Sequence, residues 1–163
     1  MKIIGVACGG YTSEREISLK SGDFIFNLIR DSNFECYKIE IDKRNYLVID
    51  KSGNKFSLNK ENFQFSKNDI NFSFDYVINL VHGSPGENGE ITKKFEDLGI
   101  SHSTCNSSIA KLTFNKKKCL ELAKKNGIKT ARSKLIRKEQ VINEKAIEDE
   151  IGFPCFVKPN QSG

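Results

Sequence analysis

The chain has 163 residues, enough for one ordinary domain or a small domain with part of a second. Its 37% hydrophobic and 10% aromatic content supports a buried core, and 29% charged residues supply a polar surface. The net charge of +5 comes from 26 basic residues interspersed with 21 acidic ones, the densest basic run is Lys116-Lys117-Lys118, and without a basic stripe nucleic-acid binding is not expected. Five cysteines, odd in number and with no Cys-x-x-Cys pair, argue against a disulfide framework and a zinc site and fit a reducing cytosol. No apolar run approaches the ~20 residues of a membrane-spanning helix. The first residues enter a strand with no signal-peptide layout, so a soluble, non-exported protein with no membrane partner is expected.

Residues 3–8 (Ile-Ile-Gly-Val-Ala-Cys) form a short apolar run that ends at the pair Gly9-Gly10, as a buried parallel strand leaves a sheet. A helix is predicted to follow. Ser13 and Glu16 have capping-box spacing, which puts Glu14 in the first helical turn, and Ile17, Phe24, Ile25 and Leu28 fall on one face for packing against the sheet. Such a helix start attracts anions, while a carboxylate planted there can hold an ammonium group, so the segment suits a zwitterion. Equally, Glu14 and Glu16 can be acids that merely complement the helix dipole. The Gly pair is not a full Gly-x-Gly-x-x-Gly fingerprint, and dinucleotide binding is only weakly supported.

Residues 34–41 alternate as a second strand and complete a β-α-β unit. A hairpin is predicted from 46–50 and 56–58 around Ser52-Gly53-Asn54, whereas 59–71 shows no clear period and reads as loop or weak strand. The strongest strand signal, 75–81, runs into His82-Gly83-Ser84-Pro85-Gly86-Glu87-Asn88-Gly89. A helix carrying Ile91, Phe95 and Leu98 and stopped by Gly99 comes next. Loops at the carboxyl ends of parallel strands gather along one edge, so Glu14 and His82 are expected to face one crevice. Beyond a boundary near 105 come helices at 109–112, 115–126 and 144–151, with strands at 133–137 and 155–158 and a Gly/Ser-containing segment at 159–163.

His82 closes a buried strand where its imidazole reaches solvent and can donate to a carboxylate or exchange protons; the bland alternative is a histidine that simply ends the strand. His82 and His102 are the only histidines and have no clustered Cys or Asp around them, so no histidine metal site is expected. Glu87 and Glu90 read as helix-start acids, with ligand contact the lesser alternative. Lys116, Lys117 and Lys118 diverge by about 100° each, so at most one points at a phosphate. Lys158 ends a strand beside a small polar segment and suits a nucleotide phosphate, although the spacing is not that of a P-loop.

Four segments resemble, in order and spacing, the amino-terminal half of the D-alanine:D-alanine ligases of the ATP-grasp superfamily. They are Gly9-Gly10 with Ser13-Glu14-Arg15-Glu16-Ile17-Ser18-Leu19 and Ser21-Gly22; His82-Gly83 with Gly86-Glu87-Asn88-Gly89; Leu112-Thr113-Phe114-Asn115-Lys116; and Phe153-Pro154 with Val157-Lys158-Pro159. The resemblance implies an α/β fold: a Rossmann-like parallel sheet, the pre-ATP-grasp domain, at 1–104, followed at 105–163 by the start of an ATP-grasp central domain. It implies ATP-dependent joining of two D-alanines through an acyl phosphate for peptidoglycan precursor synthesis, with Mg²⁺ bridging the phosphates. Glu14 would hold the ammonium of the first D-alanine and act in catalysis, His82 would lie by its carboxylate, and Lys116 and Lys158 would contact ATP phosphates. Such logic is physical: transfer of a phosphoryl group depends on positioning and charge neutralisation.

The resemblance also implies a cytoplasmic homodimer in the full-length enzyme, with D-alanine and ATP as small-molecule partners. Departures are Asn88 and Asn115, where the family has Asp, and Ser101-His102-Ser103-Thr104, where it has a Pro-Tyr-Thr-Gly-like segment. The family's loop serine would fall one position past Gly163, and the adenine pocket, magnesium carboxylates, oxyanion arginine and partner tyrosine lie beyond it. On that resemblance the chain reads as an incomplete, inactive piece with no metal ligands of its own. Open alternatives are a non-enzymatic ligand-binding or dimerising module and a ligase for D-lactate or D-serine as second substrate.

Overall fold

The computed structural model describes residues 1–162, so Gly163, the end of the Gly/Ser segment, lies outside the described residues. The chain divides into two compact units, Met1–Lys111 and Leu112–Ser162. In the first, β1 (Ile3–Gly9), α1 (Arg15–Ile29) and β2 (Glu35–Ile41) make the expected β-α-β unit. β3 (Tyr46–Ile49) and β4 (Lys55–Ser57) follow as the hairpin. β5 (Phe65–Lys67) and β6 (Ile70–Phe72) form a separate two-stranded sheet. β7 (Tyr76–Asn79), α2 (Glu90–Asp97), β8 (Ser101–His102) and the start of α3 (Ser107–Phe114) complete the unit.

The main sheet runs β4-β3-β2-β1-β7-β8. Its β2-β1-β7-β8 part is parallel and the β3 and β4 edge is antiparallel. The α/β class with a mostly parallel central sheet therefore holds. β1 is central, and its residues alternate between two cores. Val6 faces α1 with Phe26 and Cys36, while Ala7 faces a larger cluster that contains Ile39, Val48, Phe63, Phe65, Val77, Phe95 and Tyr37.

The α1 face differs from the expected one. Ile17, Phe24 and Leu28 are exposed, and Ser18, Gly22 and Phe26 are buried, with Ile25 and Ile29 packed beside them. The reason is close approach. A Cβ on Gly22 would lie 2.4 Å from the Cys8 sulfur, so α1 sits too near β1 for large side chains along that line. Ser18 turns this proximity into bonding, its hydroxyl accepting from the Gly9 amide at 2.8 Å and donating to the Leu80 carbonyl at 2.6 Å. Burial pushes the Cys8 thiol up to about 12, leaving it an inert packing group.

Residues 59–71, expected as loop or weak strand, hold most of the hairpin β5–β6 and two deeply buried aromatics. Phe63 and Phe65 are fully or almost fully buried at 0% and 2% exposure. Edge-on ring contacts link Phe63 to Phe95 at 5.0 Å and to Phe74 at 6.0 Å, while Tyr37 meets Phe65 at 4.8 Å. The predicted strand at 75–81 is shorter than expected, and β8 was not anticipated. Leu98, expected on the packed face of α2, caps the helix and is partly exposed.

Asp50 anchors the β3–β4 turn. Its carboxylate accepts from the amides of Ser52 and Asn54 at 3.0 Å each, from the Asn54 side chain at 3.1 Å and from Lys67 at 3.2 Å. Burial alone would raise its carboxyl, but these four donors outweigh burial and hold it below the ordinary 3.8. A lowered folded pKa contributes stability that is full above the unfolded value and is lost as pH falls through the folded one. Urea midpoints measured from neutral to about pH 3 should decline at the acid end, and Asp50→Asn should flatten that decline. An acid limb with the same slope in the variant would contradict this.

The second unit contains the end of α3, α4 (Lys116–Lys125) and α5 (Glu144–Glu150). The expected strands at 133–137 and 155–158 are not formed: both stretches lack a pairing partner among the described residues. A strand exists only by its ladder, and β-branched composition cannot substitute for one. Phe153, Phe156 and Val157 are accordingly exposed. No helix among the described residues is long and apolar enough to cross a membrane.

Candidate functional site

Two loops leave the carboxyl ends of the neighbouring parallel strands β1 and β7, and hydrogen bonds fasten them together. The Tyr11 amide donates to the Ser84 carbonyl at 2.8 Å, and the Thr12 hydroxyl makes a long 3.5 Å bond to the His82 carbonyl. Gly10 makes this approach possible. Its φ is +121°, and a Cβ there would lie 2.9 Å from the His82 carbonyl oxygen and 3.2 Å from that of Ser84. The loops carrying Glu14 and His82 are thus one bonded unit.

The capping box is not formed. Glu14 is the residue that caps α1 rather than a member of its first turn, and its carboxylate makes no capping hydrogen bond. The Glu14 amide donates instead to the Thr12 hydroxyl at 3.4 Å, while Ser13 and Glu16 stay exposed. Thr12 rather than Ser13 supplies the hydroxyl acceptor here, at the amide of the capping residue and not of the first turn. The Glu14 carboxylate therefore makes no hydrogen bond to the helix, and both readings of it, substrate anchor and acid that complements the helix dipole, stay open.

His82 is half-buried, and its Nδ1 lies 3.8 Å from a Glu87 carboxylate oxygen, so Glu87 belongs to this rim and Glu90 to the first turn of α2. Asn88 explains its own departure from the family. Its side-chain amide donates to the Ser84 hydroxyl at 3.0 Å and more weakly to Glu90 at 3.4 Å, while its oxygen accepts the Glu90 amide at 3.1 Å. An aspartate there would lose both donors and set a second carboxylate against Glu90.

Sequence reasoning missed three contributors. Arg15 reaches Asp42 at 3.6 Å, linking the start of α1 to the end of β2. Tyr11 shares a 2.7 Å hydroxyl contact with Tyr46, whose ring has the Lys60 ammonium 4.7 Å from its centre. Burial, then the bond to Tyr11, raises the Tyr46 phenol well above the ordinary range and keeps it protonated. Only chain folding pairs these residues, since Tyr11 and Tyr46 lie on separate elements.

Lys116 and Lys158 belong to the second unit. The Lys116 ammonium donates to the Ser162 carbonyl at 2.5 Å, whereas the exposed Lys158 ammonium sits 5.7 Å from the centre of the Phe156 ring. Lys117 pairs with Glu121 at 3.6 Å and Lys118 is exposed, so the three lysines do diverge. Asn115 accepts from the Lys118 amide at 3.0 Å and from the Asn160 side chain at 3.2 Å, both of which an aspartate could also accept. Among the described residues no group of three or more His, Cys, Asp or Glu side chains is assembled that could hold a metal ion.

Fold and loops together define an α/β domain whose candidate site lies at the carboxyl ends of β1 and β7. Residues 3–105 match the family model described as D-ala D-ala ligase N-terminus. The D-alanine–D-alanine ligase of Christiangramia forsetii is 38% identical over 162 residues, covering 99% of this chain and 50% of the relative. Among solved structures, the D-alanine-D-alanine ligase of Coxiella burnetii matches with a TM-score of 0.82 at 21% identity, over 99% of this chain and 52% of that one. A D-alanine–D-alanine ligase from Bacillus anthracis complexed with ATP matches with a TM-score of 0.70 at 23% identity, over 99% of this chain and 48% of that one. The chain belongs to the D-alanine–D-alanine ligase family. It spans about half the length of the curated relatives it matches.

Proposed function

We propose that this chain supplies the first D-alanine site of an ATP-dependent D-alanine–D-alanine ligase of peptidoglycan synthesis. The observation that carries the reading is the bonded pair of loops, which presents a carboxylate that makes no capping hydrogen bond and a half-buried imidazole at one sheet edge. Glu14 is assigned to the ammonium of D-alanine and to catalysis, His82 to its carboxylate, and Lys116 and Lys158 to ATP phosphates. Once ATP phosphorylates the carboxylate, the residues of this chain keep the first substrate oriented for attack by the second amine. Residues 1–104 are assigned to the pre-ATP-grasp domain and 105–163 to the first part of the central domain, in the cytoplasm. Titration of the 163-residue chain followed by amide chemical shifts tests the reading: D-alanine should move Gly10, Glu14 and His82 saturably, and propionate or ethylamine alone should not. Absence of any response to D-alanine defeats it.

The reading extends to a homodimer, and α1 supports it. Ile17, Phe24 and Leu28 are 60%, 68% and 70% exposed and, with Ser21 between them, form one apolar stripe. Two such stripes run antiparallel about a two-fold axis set Ile17 of one copy by Leu28 of the other and Phe24 against the small Ser21. Sedimentation should find the chain dimeric and Phe24→Glu monomeric; a monomeric parent chain would refute it.

A further inference from the structure

The start of α4 is closed by a residue far away in sequence. A helix ordinarily leaves its first amides without partners. Here the Lys116 amide donates to the Asn160 carbonyl at 3.0 Å, the Lys117 amide to the Asn160 side-chain oxygen at 2.9 Å, and the Lys118 amide to Asn115 at 3.0 Å. The Asn160 side-chain amide returns a 3.2 Å bond to Asn115. Asn115, at 9% exposure, is the one buried residue among the described residues of the second unit. This clasp is therefore the best-shielded tertiary contact of a unit otherwise lacking a core.

Two consequences follow for a phosphate. With the amides of Lys116, Lys117 and Lys118 all taken, the helix terminus offers an anion no free donor in this state. Neutralisation falls to side chains, and one of them, Lys116, is held by Ser162 at 2.5 Å. The Lys116–Ser162 bond is a side-chain contact to a backbone carbonyl and is the contact a phosphate oxygen can displace. The bonds from Asn160 can survive that exchange because they use the backbone and Asn115.

We propose that Asn160 is a positioning residue, clasping the segment after Lys158 to the first turn of α4 so that Lys116 and Lys158 share one frame while Ser162 yields to an incoming polyphosphate. The proposal rests on the reading that these two lysines meet nucleotide phosphates. It concerns a residue that none of the four family segments contains.

The test uses the 163-residue chain, its variants Asn160→Ala and Asn160→Asp, and inorganic triphosphate as the probe. Amide hydrogen exchange reads the clasp and titration reads binding. In Asn160→Ala the Lys117 amide should exchange about tenfold faster, since a hydrogen bond to a shielded amide is lost, and triphosphate should bind about fivefold more weakly. Asn160→Asp keeps the acceptor and should restore Lys117 protection. Amides of the last turn of α4 serve as the control for unfolding. Unchanged Lys117 exchange in Asn160→Ala, with that control intact, overturns the clasp. Equal triphosphate affinity in the parent chain and Asn160→Ala, with faster exchange, overturns the positioning role. A parent chain that binds no triphosphate, yet shows the exchange effect, removes the phosphate reading and leaves the clasp established as a structural contact.

Discussion

Phe63→Ala should lower the unfolding free energy by about 3–5 kcal/mol, the range for deleting a buried aromatic side chain. Phe63 is fully buried and meets three rings, with centroids at 5.0 Å for Phe95, 6.0 Å for Phe74 and 6.3 Å for Tyr46. These partners come from three different stretches of chain, so none can follow the missing ring without leaving its own neighbours. Its backbone is in the left-handed region at φ +55°, a conformation an aromatic residue adopts only when packing demands it. Phe63→Gly would relieve that backbone and still lose the ring, so it should remain strongly destabilised. Urea denaturation with an unchanged slope and a lower midpoint is the expected measurement. A loss below about 1 kcal/mol would mean that the aromatic cluster can collapse around the gap.

Glu14→Gln should weaken D-alanine binding by about 10- to 100-fold, because a charge-assisted hydrogen bond contributes roughly 1.5–3 kcal/mol. The fold should be spared, since the Glu14 carboxylate caps nothing and α1 is held by Ser18 and Phe26. Glu16→Gln provides the comparison. Glu16 is exposed and lies in the first turn, so it carries a similar dipole interaction. Calorimetry should show binding within about twofold of the parent for Glu16→Gln. Equal losses in both variants would reduce Glu14 to a dipole-complementing acid.

Several elements were legible because local signals and tertiary context agree. The apolar run ending in Gly9-Gly10, the alternation at β2 and the Gly99 stop of α2 each correspond to an observed element. Glu14 and His82 were legible as loop residues at strand ends, and the structure bonds their loops together. Other features were hidden for identifiable reasons. On α1, hydrophobicity argues for burying Ile17, Phe24 and Leu28, whereas the approach of the helix to Cys8 selects Ser18 and Gly22. The aromatics at 59–71 lack a period because they enter the core from turns and a short hairpin, whose tip has left-handed backbone at Asn68 and Asp69. In place of the capping box, Thr12, one residue earlier, bonds both the Glu14 amide and the opposite loop.

By itself the sequence determined the β-α-β start, the α/β class and the two glycine-bearing loops, because strand ends and glycines act over a few positions. Tertiary structure alone decided which side of α1 is buried, that Thr12 and Tyr11 bind the second loop, and that Asn160 closes the first turn of α4. Those outcomes depend on distances between residues remote in the chain, set by how closely backbones can approach once side-chain volumes are packed. The same rule explains the stretches at 133–137 and 155–158. Their composition favours strands, but a strand needs an adjacent backbone to accept its hydrogen bonds, and no sequence pattern supplies that neighbour.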